Sequence, residues 1–541
     1  MADTHVVENQ PPPLEGYNVF TSDRALAEAY SRETRGAADA ELIELGALAG
    51  SAESIALGFE ANENPPELRT HDRFGHRIDE VAFHPAYHAL MHRATAFGLH
   101  GTPWRDSAPY PHVRRAAKFY VWAHVEQGHG CPMSMTYAAV PALRIQPEIA
   151  DHWESWFSAR AYDPRLIPVT QKHGATCGMG MTEKQGGSDV RANSTRAMPA
   201  SSHRGPGCEY VLTGHKWFCS APMSDAFLVL AQTDAGVSCF FVPRVLPDGS
   251  RNSFAIQRLK HKLGNRSNAS SEIELDATHG WLVGEEGRGV QTIVEMVNHT
   301  RLDCMLGSAA IVREALSQAI HHARYRRTFG SVLIDHALMR NVIADLALES
   351  EAAVALFMRV ARAIDEGDGA LKRIGTAIGK YYICKRAPGL VYEALECLGG
   401  NGYVEESILP RLYREAPVNS IWEGSGSIQA LDVLRILRRQ PESIEALRAE
   451  ISHTFGDTRI ATEADRVMRE LALPAETLEA RARWITERLA LLWQAALLVA
   501  HAPPAVSDAF IESRLGSHAG RTLGTLPSGA DLAAIVERAS W

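Results

Sequence analysis

The chain has 541 residues, a formal net charge of −9, and 45% hydrophobic and 22% charged residues. That is enough chain for several domains and a large core, and the composition excludes disordered and fibrous classes. The acidic balance excludes a surface that attracts nucleic acid everywhere, so any DNA contact must be regional.

Residues 1 to about 40 read as a polar, proline-bearing arm. Met1 to Leu14 has no basic segment followed by an apolar run, so no signal peptide is expected. From Ala40 to Ala175 helical patterns dominate, interrupted by Pro65-Pro66, Pro103 and Pro109. His124, Glu126, His129 and Cys131 can be drawn as a metal cluster, but their spacing fits no zinc motif and a helix followed by a glycine loop explains them. No metal is expected. From about 177 to 283 the pattern turns to short β-rich runs, such as Ala226-Phe227-Leu228-Val229-Leu230, separated by Gly, Asn, Asp and Pro, which predicts a β domain.

Two segments of that domain carry chemistry. Met181-Thr182-Glu183-Lys184-Gln185-Gly186-Gly187-Ser188-Asp189 is a polar loop offering hydroxyls and N–H groups to an electron-rich ligand. Tyr210 to Phe218 reads as a strand and a turn leading into Trp217 and Phe218, aromatic residues suited to face a flat ring. Long helices return from Gly289 to Leu437, with Cys304–Tyr325 and Asn341–Glu366 the clearest and Gly367-Asp368-Gly369 between two of them. His321 and His322 lie on diverging helix faces and make a poor chelate. Arg326-Arg327-Thr328-Phe329-Gly330 supplies a guanidinium, and Leu398-Gly399-Gly400-Asn401-Gly402-Tyr403 a loop of exposed backbone.

Ser420-Ile421-Trp422-Glu423-Gly424-Ser425-Gly426-Ser427-Ile428-Gln429 is the most informative stretch. Ile428, Leu431, Leu434 and Leu437 recur at helical spacing, so Gly424 to Ser427 opens a helix where backbone N–H groups lack partners. A phosphate or a carbonyl oxygen suits such a place. Glu423, beside the apolar Trp422, is partly desolvated in this reading, which raises a carboxyl toward the range of a general base. A capped surface helix with a solvated Glu423 is the bland alternative.

The eight cysteines are scattered without a C-x-x-C pair, which predicts neither disulfides nor zinc and suits a reducing cytoplasm. The most apolar run, Leu489 to Ala500, has 12 residues, well short of a membrane span, and reads as a buried helix.

These motifs, in this order, resemble the acyl-CoA dehydrogenase family of flavoproteins. Asn9-Gln10-Pro11-Pro12-Pro13-Leu14, Asn64-Pro65-Pro66-Glu67-Leu68, His84-Pro85-Ala86-Tyr87-His88, the Lys184-Gln185-Gly186 variant of the flavin loop and Trp422 are most similar to its AidB-like branch, associated with the adaptive response to DNA alkylation. The resemblance implies an α+β fold: an N-terminal arm and helical domain (1–176), a β domain with flavin loops (177–288), a four-helix bundle (289–439) and an extra C-terminal helical region (440–541). It implies FAD held between β domain and bundle, in a homotetramer whose neighbouring subunit closes part of the site. Met181, Thr182 and Ser188, then Trp217, Phe218 and Ser220, would contact the isoalloxazine or its ribityl chain. Trp422, Ser425 and Ser427 would serve the cofactor from the loop of the base. Arg326 and Phe329, with Leu398, Gly399 and Gly400, would meet the pyrophosphate and adenine across the subunit interface.

By the same resemblance Glu423 removes the α-proton of an acyl-CoA while hydride passes from the β-carbon to FAD. Relatives that carry their glutamate on the first bundle helix have it where this chain has Thr300 before Arg301, which leaves Glu423 without a competitor. Trp422 stands where the family more commonly has a tyrosine, a bulk that would narrow the acyl pocket, and weak activity on a short or branched acyl-CoA such as isovaleryl-CoA, or on a related small electrophile, is what the resemblance implies. The electron acceptor is not specified by the sequence. In the AidB-like branch the extra C-terminal region is associated with double-stranded DNA. Here residues 440–541 hold ten arginines, no lysine and fourteen acidic residues, a net of −4, which favours solvated helix faces over a phosphate-binding surface. A DNA-associated flavoprotein with little turnover is the alternative reading.

Overall fold

The computed structural model describes residues 4–516 and 520–540. It divides into two units, residues 1–52, 112–124 and 304–541 in one and residues 53–111 and 125–303 in the other.

The second unit carries the β domain in the predicted span. Its strands are β3 (Cys177–Gly180), β4 (Arg196–Pro199), β5 (Glu209–Ser220), β6 (Ala226–Thr233), β7 (Gly236–Pro243), β8 (Ala255–Leu259) and β9 (Ser270–Leu282), preceded in the chain by β1 (Glu67–His71) and β2 (Arg77–Ala82). The pairing runs β3-β6-β4-β5-β9-β7, and β6 also pairs with β7, so the sheet returns on itself. The inner side is filled by Tyr210, Leu212, Phe227, Val229, Phe240, Val242 and Ile273. β6 is apolar and buried from Ala226 to Ala231, where both of its faces are covered, and ends in the half-buried Gln232 and Thr233.

β5 departs from the expectation of a strand and a turn within 210–218: it is one continuous strand with register shifts at Leu212/Gly214 and Lys216/Cys219. A bulge stands where a turn was read, because Thr195 crosses close by. A Cβ at Gly214 would lie 2.4 Å from Thr195 Oγ1. The antiparallel pair β1–β2 interrupts the span read as helical. Its turn is made by Asp72, whose carboxylate accepts from Phe74 N (2.8 Å) and His76 N (2.9 Å), and by Gly75 at φ 88°.

The first unit is helical. The arm read over residues 1–40 contains a helix, Arg24–Glu33, started by Asp23, whose side chain accepts from Leu26 N. Long helices Ala337–Asp365 and Gly369–Cys397 are joined at Gly367, φ 69°, as expected. Region 440–540 shares their core. In helix Ala475–His501, Trp493 is buried so close to Gly375 that a Cβ there would lie 2.8 Å from the indole. Arg514 pairs with Asp345 and Glu349 of the bundle, and Arg538 reaches Glu351 and Glu28. Of the run read as buried, Leu489 to Leu498 are buried and Val499 and Ala500 are exposed, and among the described residues no single helix is long and apolar enough to cross a membrane.

Candidate active site

Glu423 stands in a tight loop between the short helix Val418–Ile421 and helix Gly426–Arg439. Its φ is 58° and that of Gly424 is 100°, a conformation that L side chains rarely take and that the surroundings must enforce. They do so through carbonyls. Lys380, 1% exposed, donates to the oxygens of Trp422 (2.8 Å) and Gly424. Gln429, fully buried, donates to Glu423 O (3.0 Å) and Gly424 O (3.3 Å). Trp422 is fixed by its indole N–H on Asn419 Oδ1 at 3.0 Å. Ser425 is the helix cap but makes no side-chain cap bond, so its hydroxyl does not satisfy the N–H groups of the first turn. Ser425 and Ser427 are exposed there. Lys380 and Gln429 escaped the sequence reading, because nothing in a helical run of small and apolar residues signals that one lysine points at a loop over forty residues away.

The Met181–Asp189 loop, in the other unit, is organised by charge. Glu183 is buried, and Lys216 Nζ donates to its Oε1 at 2.7 Å and to Leu230 O at 2.7 Å. The same carboxylate accepts from Ser194 N and Oγ, Thr195 N and Gln185 Nε2. Burial pushes Glu183 up, but Lys216 and these N–H and O–H donors outweigh it and hold the carboxyl at about 2. Met181 and Thr182 are half-buried, and Ser188 is exposed. Trp217 N donates to Thr182 O (2.8 Å), which ties the two segments together. Phe218 is 51% exposed, Trp217 half-buried under the ammonium of Lys260, 3.2 Å from its ring centre, and Ser220 shares a 3.3 Å bond with Ser270. Glu183 and Lys216 were also missed; a buried ion pair between a loop and a strand has no local sequence signal.

The third group lies again in the helical unit. Arg327–Thr328 and Ser331–Val332 form a two-stranded hairpin whose turn residues Phe329 and Gly330 have φ 50° and 86°. Phe329 is 98% exposed. Arg326 donates to Asn9 O at 2.6 Å. Gly399, φ 61°, and Gly400 are exposed after Leu398, at the end of helix Gly369–Cys397. The residues set aside as a metal cluster have other partners: Glu126 accepts from Gly128 N (2.8 Å), His129 N (3.0 Å) and Ser267 Oγ (2.8 Å) and meets His129 Nδ1 at 3.0 Å. Among the described residues no group of His, Cys, Asp and Glu could hold a metal.

Three family models match consecutive stretches: the adaptive response protein AidB N-terminal domain over residues 9–164, the acyl-CoA dehydrogenase middle domain over 178–278 and the acyl-CoA dehydrogenase C-terminal domain over 287–437. AidB of Escherichia coli (strain K12) is 47% identical over 96% of this chain and 95% of its own length. The chain belongs to the acyl-CoA dehydrogenase family. It is an FAD-dependent oxidoreductase acting on a CH–CH group, with the α+β fold expected of it. Acyl-CoA dehydrogenase family member 11 of Caenorhabditis elegans is 29% identical over 82% of this chain and 77% of that protein. Among solved structures, Bd2924 in its apo form superposes with a TM-score of 0.83 at 27% identity, covering 91% of this chain and 99% of that one. C. elegans ACDH-11 in complex with C11-CoA gives 0.82 at 24%, covering 100% and 93%.

The donor set fits FAD. The helix start at Ser425, without a side-chain cap bond from that serine, suits a phosphate, and Gly426, where a Cβ would make only ordinary contacts, adds no side chain to its approach. Gly187 is required by Thr182, since a Cβ there would lie 2.5 Å from Thr182 Oγ1, and the hydroxyl so placed lies on the segment tied to Trp217.

Proposed function

We propose that the chain dehydrogenates an acyl-CoA with Glu423 as the base that takes the α-proton. The observation that carries this is the Glu423 loop, in which buried side chains hold the carbonyls of residues 422–424 and impose a left-handed φ on a glutamate at an uncapped helix start. With those carbonyls turned to Lys380 and Gln429, the N–H of Glu423 is the donor for the thioester oxygen, where it stabilises charge developing as the α-proton leaves. FAD, when bound, accepts the hydride from the β-carbon. Met181, Thr182, Ser188, Trp217, Phe218 and Ser220 hold its isoalloxazine and ribityl chain, and Trp422, Ser425 and Ser427 its dinucleotide. Arg326, Phe329, Leu398, Gly399 and Gly400 take the adenosine end in a homotetramer. Support for that assembly is the exposure of Phe329, of Leu338 at 83% and of Tyr403 at 81%.

Trp422 beside the base favours a short or branched acyl group such as isovaleryl, whereas the solved ACDH-11 was captured with C11-CoA. The test is anaerobic bleaching of the flavin absorbance by acyl-CoAs of both kinds, with Glu423→Gln alongside. Bleaching that falls about 10³-fold in the variant, at unchanged flavin content, is the expected result. Bound flavin that no acyl-CoA reduces would overturn the reading.

The second reading, protection against DNA alkylation through duplex binding by region 440–541, rests on few cations. Six of its ten arginines, at 459, 466, 481, 488, 514 and 538, pair with carboxylates. Arg438, Arg439 and Arg448 are exposed at its entry and have no carboxylate partner among the described residues. Neutralising these three with alanine is expected to abolish salt-sensitive duplex binding if the reading holds. Eight cysteines outside any disulfide suit a cytoplasmic setting.

A further inference from the structure

The segment before the first helix is bonded to both loops assigned to the adenosine end of FAD. Asn9 pairs with the peptide of Arg327 in both directions: its Nδ2 donates to Arg327 O at 2.9 Å, and its Oδ1 accepts from Arg327 N at 2.7 Å. Arg326 Nη1 donates to Asn9 O at 2.6 Å. One residue on, Gln10 Oε1 accepts from Asn401 Nδ2 at 3.2 Å, in the Leu398–Tyr403 loop. Pro12 O then meets His321 Nε2 at 2.7 Å, on the helix that leads into the hairpin. Asn9 itself has φ 59°, a region that asparagine tolerates better than other non-glycine residues. Its side-chain amide has both donor and acceptor, so it adds one rung of an antiparallel ladder to the hairpin edge.

We propose that Asn9 to Pro12 is a positioning clamp for the cofactor's adenosine end. It sets the spacing of the Arg326–Gly330 hairpin and the Leu398–Gly400 loop, and orients Arg326. The two-residue hairpin needs such an anchor, because two strands of two residues are marginal alone and its turn holds a phenylalanine at positive φ. Arg326, which the family resemblance places with its neighbours at the pyrophosphate and adenine, is thereby held by the arm's carbonyl through Nη1.

This inference rests on the assignment of those two loops to FAD, and the experiment separates the two. Dissociation constants of the full-length apoprotein are measured for FAD and for FMN, which lacks the adenosine end, together with hydrogen exchange across residues 326–332. Asn9→Ala is expected to weaken FAD about tenfold, the size of a lost pair of hydrogen bonds, and leave FMN unchanged. Asn9→Asp, which keeps the acceptor for Arg327 N, should recover part of the loss, and exchange in the hairpin should quicken in Asn9→Ala. FAD affinity unchanged in Asn9→Ala but lowered in Phe329→Ala would overturn the clamp and leave the loop assignment standing. FAD affinity unchanged in both would overturn the loop assignment and the clamp with it. Equal losses for FAD and FMN would also overturn the clamp, by showing a general loss of structure.

Discussion

Two acids precede glycine-rich turns in this chain, and a buried lysine stands behind each, yet the lysines do opposite things. Lys216 pairs with the carboxylate of Glu183 itself and adds the carbonyl of Leu230. Lys380 takes the carbonyls of Trp422 and Gly424, on either side of Glu423. A loop held by its acid has that acid committed to structure, with every donor in reach turned to it. A loop held by its carbonyls keeps its shape whatever the side chain does, so a carboxylate there can change protonation during a reaction without loosening the loop. The position of the lysine's partner, and not the presence of an acid beside glycines, distinguishes the two loops, and it agrees with the role proposed for Glu423.

The sharpest way to break this comparison is to remove the lysines. Lys216→Met leaves the Glu183 carboxylate buried without its countercharge, which typically costs about 3–5 kcal/mol, and the loss should appear as a lowered denaturation midpoint together with lowered flavin content. Lys380→Met frees two carbonyls and should cost less, about 1–3 kcal/mol. Its mark should be kinetic: flavin reduction by acyl-CoA slows while acyl-CoA binding persists, because the loop loses its grip on the φ of Glu423. Equal melting in both variants, with reduction rates that simply follow the folded fraction, would erase the distinction between the loops.

Acid should act on the Glu183 loop through its own ion pair. Glu183 and Glu126, both in the β-bearing unit, are each held at about 2, below the usual glutamate value, by Lys216 and by His129 with neighbouring N–H donors against the opposing effect of burial. A carboxyl depressed in the folded state stabilises fully above its unfolded value near 4.5, and that contribution is lost as pH falls through the folded value. Stability of this unit should therefore drop between about pH 4.5 and 2, in the folded holoprotein followed by flavin release and by Trp217 fluorescence. Lys216→Met should shift the onset upward by removing the group that depresses Glu183.

The sequence made the large pattern legible because it is written in local terms. The switch from helical spacing to short β runs near Cys177, the helix start after Glu423 and the joint at Gly367 each rest on residues within one turn of the feature. What escaped depends on distance in the chain. The β1–β2 hairpin was hidden because its strands are short and carry few apolar residues, Leu68 alone in β1, and its turn is built on the Asp72 side chain. The bulge at Gly214 was read as a turn because Thr195, nineteen residues earlier, is what demands a glycine there. Glu183 was visible as a motif residue but its role was not, since Lys216 is thirty-three residues away. The arm read as merely polar contains a capped helix and the Asn9 pairing, neither of which hydrophobic periodicity reports.

The smallest effect tests the same contrast at single glycines. A Cβ at Gly187 would lie 2.5 Å from Thr182 Oγ1 and 2.9 Å from its methyl, so Gly187→Ala must displace the Thr182 side chain, and flavin content of the folded protein is expected to fall if Thr182 holds the cofactor as proposed. Gly426 is different. A Cβ there would meet only Tyr381 at 3.5 Å and Lys385 at 3.9 Å, ordinary contacts, and Gly426 is the first residue of its helix. Replacing a helical glycine with alanine restricts the unfolded chain and can add up to about 1 kcal/mol of stability. Gly426→Ala should therefore leave the melting temperature of the apoprotein unchanged or slightly raised. If the uncapped N–H groups beside it receive a phosphate, the added methyl stands where the ligand comes close, and FAD affinity should fall although the protein is no less stable. Stability and affinity moving in opposite directions would mark Gly426 as a glycine kept for the ligand, while affinity that rises with stability would show that this helix start takes no part in holding the cofactor.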